Sequence, residues 1–138
     1  LGRYLDAEIA PFTLPFVVKQ FKYGQSNPTY LITCTTTRAT FVLRKKPAGK
    51  LLSKTAHAVE REYRVLKALN STNVPVPTVY ALCTDTSVIG TPFYVMEFVQ
   101  GRIFSDVTFP GLPETERHAW YPILSGVTVI VGTQQWTR

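Results

Sequence analysis

Short apolar runs of strand character, broken by turn-forming residues, occupy residues 16–45, and the apolar positions switch to a helical spacing before the midpoint of the chain. Phe16-Val17-Val18-Lys19-Gln20-Phe21-Lys22 has strand character, and Tyr23-Gly24-Gln25-Ser26-Asn27-Pro28 breaks it with turn-forming residues. Thr29 to Cys34 reads as the second strand of a hairpin, Thr37 to Ala39 as a turn, and Thr40-Phe41-Val42-Leu43-Arg44-Lys45 as a third strand. Pro47 and Gly49 then mark a loop. Between Thr55 and Leu69 the residues Val59, Leu66 and Leu69 fall on one helix face. Asn73-Val74-Pro75-Val76-Pro77 ends this helix, and Thr78 to Cys83 and Pro92 to Phe98 read as two more strands joined by a hairpin at Asp85 to Thr91. With a short helical segment at Arg3 to Ile9, the order predicts an α+β domain: a five-stranded antiparallel sheet plus one principal helix.

Past Gly101 the pattern changes. Pro110-Gly111 reads as a connector, and Pro113-Glu114-Thr115-Glu116-Arg117-His118-Ala119-Trp120 as the charged start of another helix, which Pro122 interrupts. Gly126 to Gly132 is β-branched and uncharged, as in a late strand or a terminus with nothing to pack on, and the latter is the expectation. Residues 1–99 are thus expected to form one lobe, 100–121 a hinge and the start of a second, and 122–138 a divergent apolar tail. The first residue is leucine, so the visible start is not expected to be the biological one, and no compartment can be read from it.

At 138 residues, 45% hydrophobic and 17% charged, the composition is that of one globular domain with a real core, not of a disordered chain. Apolar runs fall far short of the ~20 residues that span a bilayer. The net charge of +6, with Arg44, Lys45, Lys46, Lys50 and Lys54 in one segment, points to an anionic partner such as phosphate, coenzyme A or nucleic acid, or to plain solvated surface at Lys45, Lys46 and Lys50. No aromatic residues interleave with these cations, which disfavours nucleic acid. Cys34 and Cys83 lack CxxC spacing and read as buried free thiols, and His57 and His118 are too scattered for a zinc site.

The helix carries the most specific chemistry. Glu62 shares the apolar face of Val59, Leu66 and Leu69, whereas Glu60 lies nearly opposite, where Arg64 at i+4 can pair with it. A carboxylate on an apolar stripe is costly without a cation. Arg44 is the candidate, since Val42 and Arg44 share one face of the third strand and Phe41 and Leu43 the other, so that Val42 lies beside the pair as part of a pocket wall. A strand cation between phosphates and a helix carboxylate, under a glycine-containing hairpin, is the arrangement of kinases. Gly24 allows close backbone approach, while Ser26 and Asn27 can donate to phosphate oxygens. Taken alone, residues 24–28 read first as a plain hairpin turn, and a purely structural ion pair is the alternative for Arg44 with Glu62.

The runs Tyr23-Gly24-Gln25-Ser26-Asn27-Pro28-Thr29-Tyr30, Val42-Leu43-Arg44-Lys45-Lys46-Pro47 and Glu60-Arg61-Glu62-Tyr63-Arg64-Val65-Leu66 resemble the aminoglycoside phosphotransferase and choline kinase superfamily. Val74-Pro75-Val76-Pro77, Thr86 to Glu97 and Gly101-Arg102-Ile103-Phe104 narrow the resemblance to the kinase-like domain fused N-terminally to the animal acyl-CoA dehydrogenase family members ten and eleven. It covers roughly Arg3 to Tyr121. It implies a protein-kinase-like N-lobe with only the start of a helical C-lobe, and ATP with magnesium as the ligand, bound weakly or not at all by this chain without the rest of the helical lobe. Gly24, Gln25, Ser26 and Asn27 would form the phosphate loop, Arg44 would stand where most kinases have lysine, and Glu62 would be its partner. Met96, Glu97, Phe98 and Val99 would be the interlobe hinge, the backbone near Phe98 and Val99 reading the adenine edge; simple strand-end packing is the alternative there. The family's His-x-Asp catalytic loop has no counterpart, because Ala58-Val59 follows His57 and Ala119-Trp120 follows His118. The resemblance therefore implies a nucleotide-binding lobe of a small-molecule phosphotransferase that is inert as this chain, from a parent acting on a hydroxylated or acyl-CoA-type substrate. FAD would belong only to a dehydrogenase domain beyond this sequence, and the parent compartment would be mitochondrial or peroxisomal. The alternative is a non-catalytic nucleotide- or protein-binding module.

Overall fold

A computed structural model describes residues 1–22, 27–49, 58–101 and 111–118. The chain divides into a unit spanning Leu1–Phe98 and a second spanning Val99–Arg138. The first unit contains helix α1 (Gly2–Glu8), strands β1 (Phe16–Gln20), β2 (Thr29–Cys34) and β3 (Thr40–Lys45), helix α2 (Val59–Leu69), and strands β4 (Val79–Cys83) and β5 (Phe93–Glu97). The strands form one antiparallel sheet in the order β1-β2-β3-β5-β4.

Alternation along each strand sorts the side chains into two layers. Ile32, Cys34, Phe41, Leu43, Ala81, Cys83, Phe93 and Val95 face one way and form the main core with Leu5, Ile9 and Phe12 from α1 and the segment after it. Cys34 and Cys83 are buried free thiols within it. Phe12 packs edge-on against Phe16, and Tyr4 against Phe93, at ring centroid separations of 5.3 and 5.6 Å. Burial, with Cys83 beside it, raises the Tyr4 phenol to about 12. On the opposite face α2 lies over β4 and β5, burying Val59 and Leu66. At the end of α2 the Asn70 side chain donates to the Pro77 carbonyl and accepts from the Val79 amide, at 3.1 and 3.2 Å, tying the helix exit to β4.

Several expected boundaries shift. Ala58 has a non-helical backbone (φ −74°, ψ 81°) and its carbonyl receives the first helical bonds, so α2 starts at Val59 and not at Thr55. Glu60 and Glu62 in the first turn suit a helix N-terminus at this point, and Thr55 to His57 lie outside the described residues. Pro92, which has no amide hydrogen to donate, stays outside β5. The β2–β3 turn runs over residues 35–37, two residues earlier than expected, and closes through Arg38 at φ +60°. The β4–β5 turn is built as expected: the Asp85 carboxylate accepts from the Ser87 amide at 2.8 Å, and Gly90 adopts φ +85°. That bond to Ser87 also holds the Asp85 carboxyl below its ordinary range.

In the second unit residues 114–118 are helical, with the Arg117 amide bonded to the Pro113 carbonyl at 3.0 Å. Trp120, the interruption at Pro122 and the apolar tail lie outside the described residues.

Candidate functional site

The sheet face under α2 presents two parallel rows of side chains. Thr29 on β2 and Tyr94 on β5 are both direct partners of Arg44 on β3, so the three form a polar row running across the strands. Two residues along, Leu31, Val42 and Met96 form an apolar row in the same way. Val42 and Met96 are buried and Leu31 is half-buried.

Glu62 descends onto the polar row from the first turns of α2. Arg44 Nε donates to Glu62 Oε2 at 2.8 Å, the Tyr94 hydroxyl donates to the same oxygen at 3.1 Å, and Asn27 Nδ2 donates to Oε1 at 2.8 Å. A charge-assisted bond of this length is strong, with Arg44 buried and the Glu62 side chain 29% exposed. Burial and the neighbouring carboxylate push the Tyr94 phenol far above the usual tyrosine value, which keeps it a proton donor at any physiological pH. Arg44 Nη1 also donates to Thr29 Oγ1 at 3.3 Å, and Thr29 in turn donates to the Asn27 carbonyl at 3.0 Å. The result is a closed circuit of Asn27, Thr29, Arg44 and Glu62, with Tyr94 attached to it through Glu62. It ties the end of the β1–β2 loop to the helix and the centre of the sheet.

Of the residues singled out from the sequence, the structure brings together Asn27, Val42, Arg44 and Glu62. Gly24, Gln25 and Ser26 lie outside the described residues. Glu97 is placed differently from the others. Strand alternation turns it to the α1 side, where its carboxylate accepts from the Thr78 amide at 3.1 Å, so its side chain does not share the face of Arg44. Phe98 ends the first unit and Val99 opens the second.

The sequence places Arg64 where it can pair with Glu60; the structure leaves its charge acting on Glu60 but gives the direct contact to Lys46. Arg64 Nε donates to the Glu60 backbone carbonyl at 3.3 Å, while the Glu60 carboxylate takes Lys46 Nζ at 2.7 Å. Burial acts to raise the Glu60 carboxyl, but the hydrogen bond from Lys46, a backbone hydrogen bond and the charges of Lys46 and Arg64 together outweigh it, and the group sits below its usual range. Lys46, the residue just past the end of β3, is therefore a second tie to α2 and not free solvated surface. Sequence reasoning passed over Thr29 and Tyr94 as ordinary strand formers. The signal available for both was their two-residue phase within strands whose neighbour was already assigned a cation.

With this geometry in view, a family model described as the phosphotransferase enzyme family matches residues 17–125. The chain belongs to that family. This chain is 51% identical over 128 residues to mouse acyl-CoA dehydrogenase family member 10 and 49% identical over 125 residues to the human family member 11. The first match covers 92% of the chain and 12% of the relative, the second 88% and 16%, so the chain spans a small part of these longer proteins. It also resembles a crystal structure from Ralstonia eutropha JMP134, assigned as an aminoglycoside phosphotransferase, with a TM-score of 0.71 and 45% identity. That match covers 88% of this chain and 33% of the other. The five-stranded sheet with its helices is thus the kinase-like N-lobe of a phosphotransferase. Among the described residues no helix is long and apolar enough to cross a membrane.

Proposed function

We propose that this chain is the nucleotide-binding lobe of an ATP-dependent phosphotransferase that acts on a hydroxylated small molecule, and that these 138 residues do not transfer phosphate by themselves. The observation that carries the reading is the Arg44–Glu62 pair at 2.8 Å, seated in the sheet face beneath α2 and bonded through Asn27 to the end of the β1–β2 loop. Phosphoryl transfer asks of a protein mainly position and charge compensation. A buried guanidinium held by a carboxylate supplies the charge, and the loop would supply backbone and side-chain donors to the phosphate oxygens. The apolar row beside it, opening at Leu31, is where a planar base would lie.

Nucleotide fits the described donors, but a protein-bound magnesium does not. Glu62 is the carboxylate on this face, and three donors already engage it, which leaves it a poor metal ligand. Magnesium would arrive on the nucleotide. Asp6 lies on α1 and Asp85 is engaged in the β4–β5 turn, so neither is placed to hold a metal or an acceptor hydroxyl beside Arg44. Asp106 lies outside the described residues, and among those described the carboxylates support the inert reading for the chain on its own. The dehydrogenase names of the longer relatives suggest a hydroxyacyl group as the acceptor, with FAD confined to a dehydrogenase portion.

Amide-resolved NMR during titration with magnesium ATP tests the proposal. Shifts confined to residues 24–29, Arg44 and the 97–99 segment are expected. A dispersed spectrum that ATP does not change would overturn nucleotide binding and leave a protein-binding module.

A further inference from the structure

Kinase-type sites commonly use a flexible lysine at the position occupied here by Arg44, and the surroundings of Arg44 are wired differently from what a lysine needs. We propose that Thr29 is a positioning residue that makes this seat selective for a guanidinium, so that the arginine is a requirement of the site and not an interchangeable cation. The inference rests on the nucleotide reading above.

The register supplies the first step. Thr29 lies directly opposite Arg44 on the neighbouring strand and is 2% exposed, so its hydroxyl has no competing water. The second step is the polarity of that hydroxyl. Its one hydrogen is directed to the Asn27 carbonyl at 3.0 Å, which leaves only lone pairs facing Arg44, and Nη1 donates to them at 3.3 Å. Thr29 is therefore held as an acceptor by a backbone group of the loop it adjoins.

The third step is the shape of the cation. Glu62 takes Nε and Thr29 takes Nη1, two different nitrogens of one planar group, and Tyr94 fixes the carboxylate from the other side of the row. Two anchors on a rigid plane set its orientation, leaving Nη2 without a bond among the described residues and available to a phosphate oxygen. A lysine ends in a single nitrogen. Bonded to Glu62, it would have no second nitrogen for Thr29 and none projecting beyond the pair.

The test compares Thr29→Val, Thr29→Ser and Arg44→Lys with the unaltered 138-residue chain. It measures the affinities for ATP and for adenosine by calorimetry, with thermal melts to confirm folding. Thr29→Val removes the hydroxyl at nearly constant shape, and it is expected to weaken ATP about tenfold while leaving adenosine unchanged. Thr29→Ser restores ATP binding, and Arg44→Lys loses it despite keeping the charge. Equal loss of ATP and adenosine in Thr29→Val, or full ATP affinity in either Thr29→Val or Arg44→Lys, would overturn the proposal.

The second readout needs no nucleotide. Hydrogen exchange at the Arg44 Nε–H, followed by nitrogen-detected NMR, should be slow in the unaltered chain and in Thr29→Ser, and markedly faster in Thr29→Val. If the unaltered chain binds neither ATP nor adenosine, the nucleotide reading fails while this exchange rate still decides whether Thr29 orients the guanidinium. Unchanged exchange in Thr29→Val refutes the positioning role outright.

Discussion

The two faces of the sheet are made from alternate residues of the same strands and solve opposite problems. Toward α1 the layer is apolar and aromatic, joined by contacts such as Phe12 with Phe16 and Tyr4 with Phe93. Toward α2 the same strands bury Thr29, Arg44 and Tyr94 under a glutamate. The α1 face gains stability from area removed from water. The α2 face must first offset the cost of drying a charge, and it does so by giving the Glu62 carboxylate three donors and the guanidinium two acceptors. Where the first face tolerates any well-packed apolar set, the second is a circuit in which each group depends on its neighbours. The comparison separates residues that hold the lobe together from residues that aim it.

The largest effect is expected on the apolar side. Phe93→Ala should lower stability by about 4 kcal/mol in denaturant titration, by loss of transfer energy and creation of a cavity. Next comes Glu62→Ala, which leaves Arg44 buried without its carboxylate and should cost about 3 kcal/mol. Added chloride should recover part of this second loss and none of the first. If salt acts equally on both, the division between the faces is wrong.

Matched tyrosines give a finer test. Tyr94→Phe removes a hydrogen bond to a charged acceptor and should cost about 2 kcal/mol, whereas Tyr4→Phe removes a long neutral bond to the Leu82 carbonyl and should cost about 0.5 kcal/mol. Both phenols are raised in the folded lobe, so both contribute stability that is full below the unfolded tyrosine value near 10 and is lost as pH rises through the folded one. Stability measured from pH 9 to 11 should fall with pH, and less steeply in each phenylalanine variant.

The smallest effect concerns the outer tie. Glu60 is lowered, so its contribution is present above the ordinary glutamate value of 4.5 and lost as pH falls through the folded one. Lys46→Met should cost about 0.5 kcal/mol at pH 7, because the pair is partly solvated, and should flatten the loss of stability between pH 5 and 3. An unchanged acid limb would show that Lys46 does not hold Glu60 in solution.

The parts of the site that could be read from the sequence are those whose direction follows from a local period. Val42 and Arg44 share a strand face, and Glu62 shares a helix stripe with Val59 and Leu66, so their meeting could be deduced from the two periods. The direct partner of Glu60 was missed for the same reason: Arg64 at i+4 is the local candidate, and Lys46 becomes available only once β3 and α2 have docked. Thr29 and Tyr94 needed a register across strands, which no single strand encodes. Glu97 sits at the expected place along β5, and one further alternation carries its side chain to the α1 side.

The strand order bears on how the lobe is assembled in time. Strands β1 to β3 form one meander and β4 with β5 one hairpin, each closed by a short connection, whereas β3 and β5 join residues as far apart as Phe41 and Glu97. Short loops close at low entropic cost and long ones do so later, so the β3–β5 seam is the slow contact of this topology. Thr29 and Arg44 come from one side of that seam and Tyr94 from the other. The circuit around Glu62 with Tyr94 attached can therefore exist only in a chain that has completed the slow step, and a fluorescence probe of Tyr94 in refolding would time its completion.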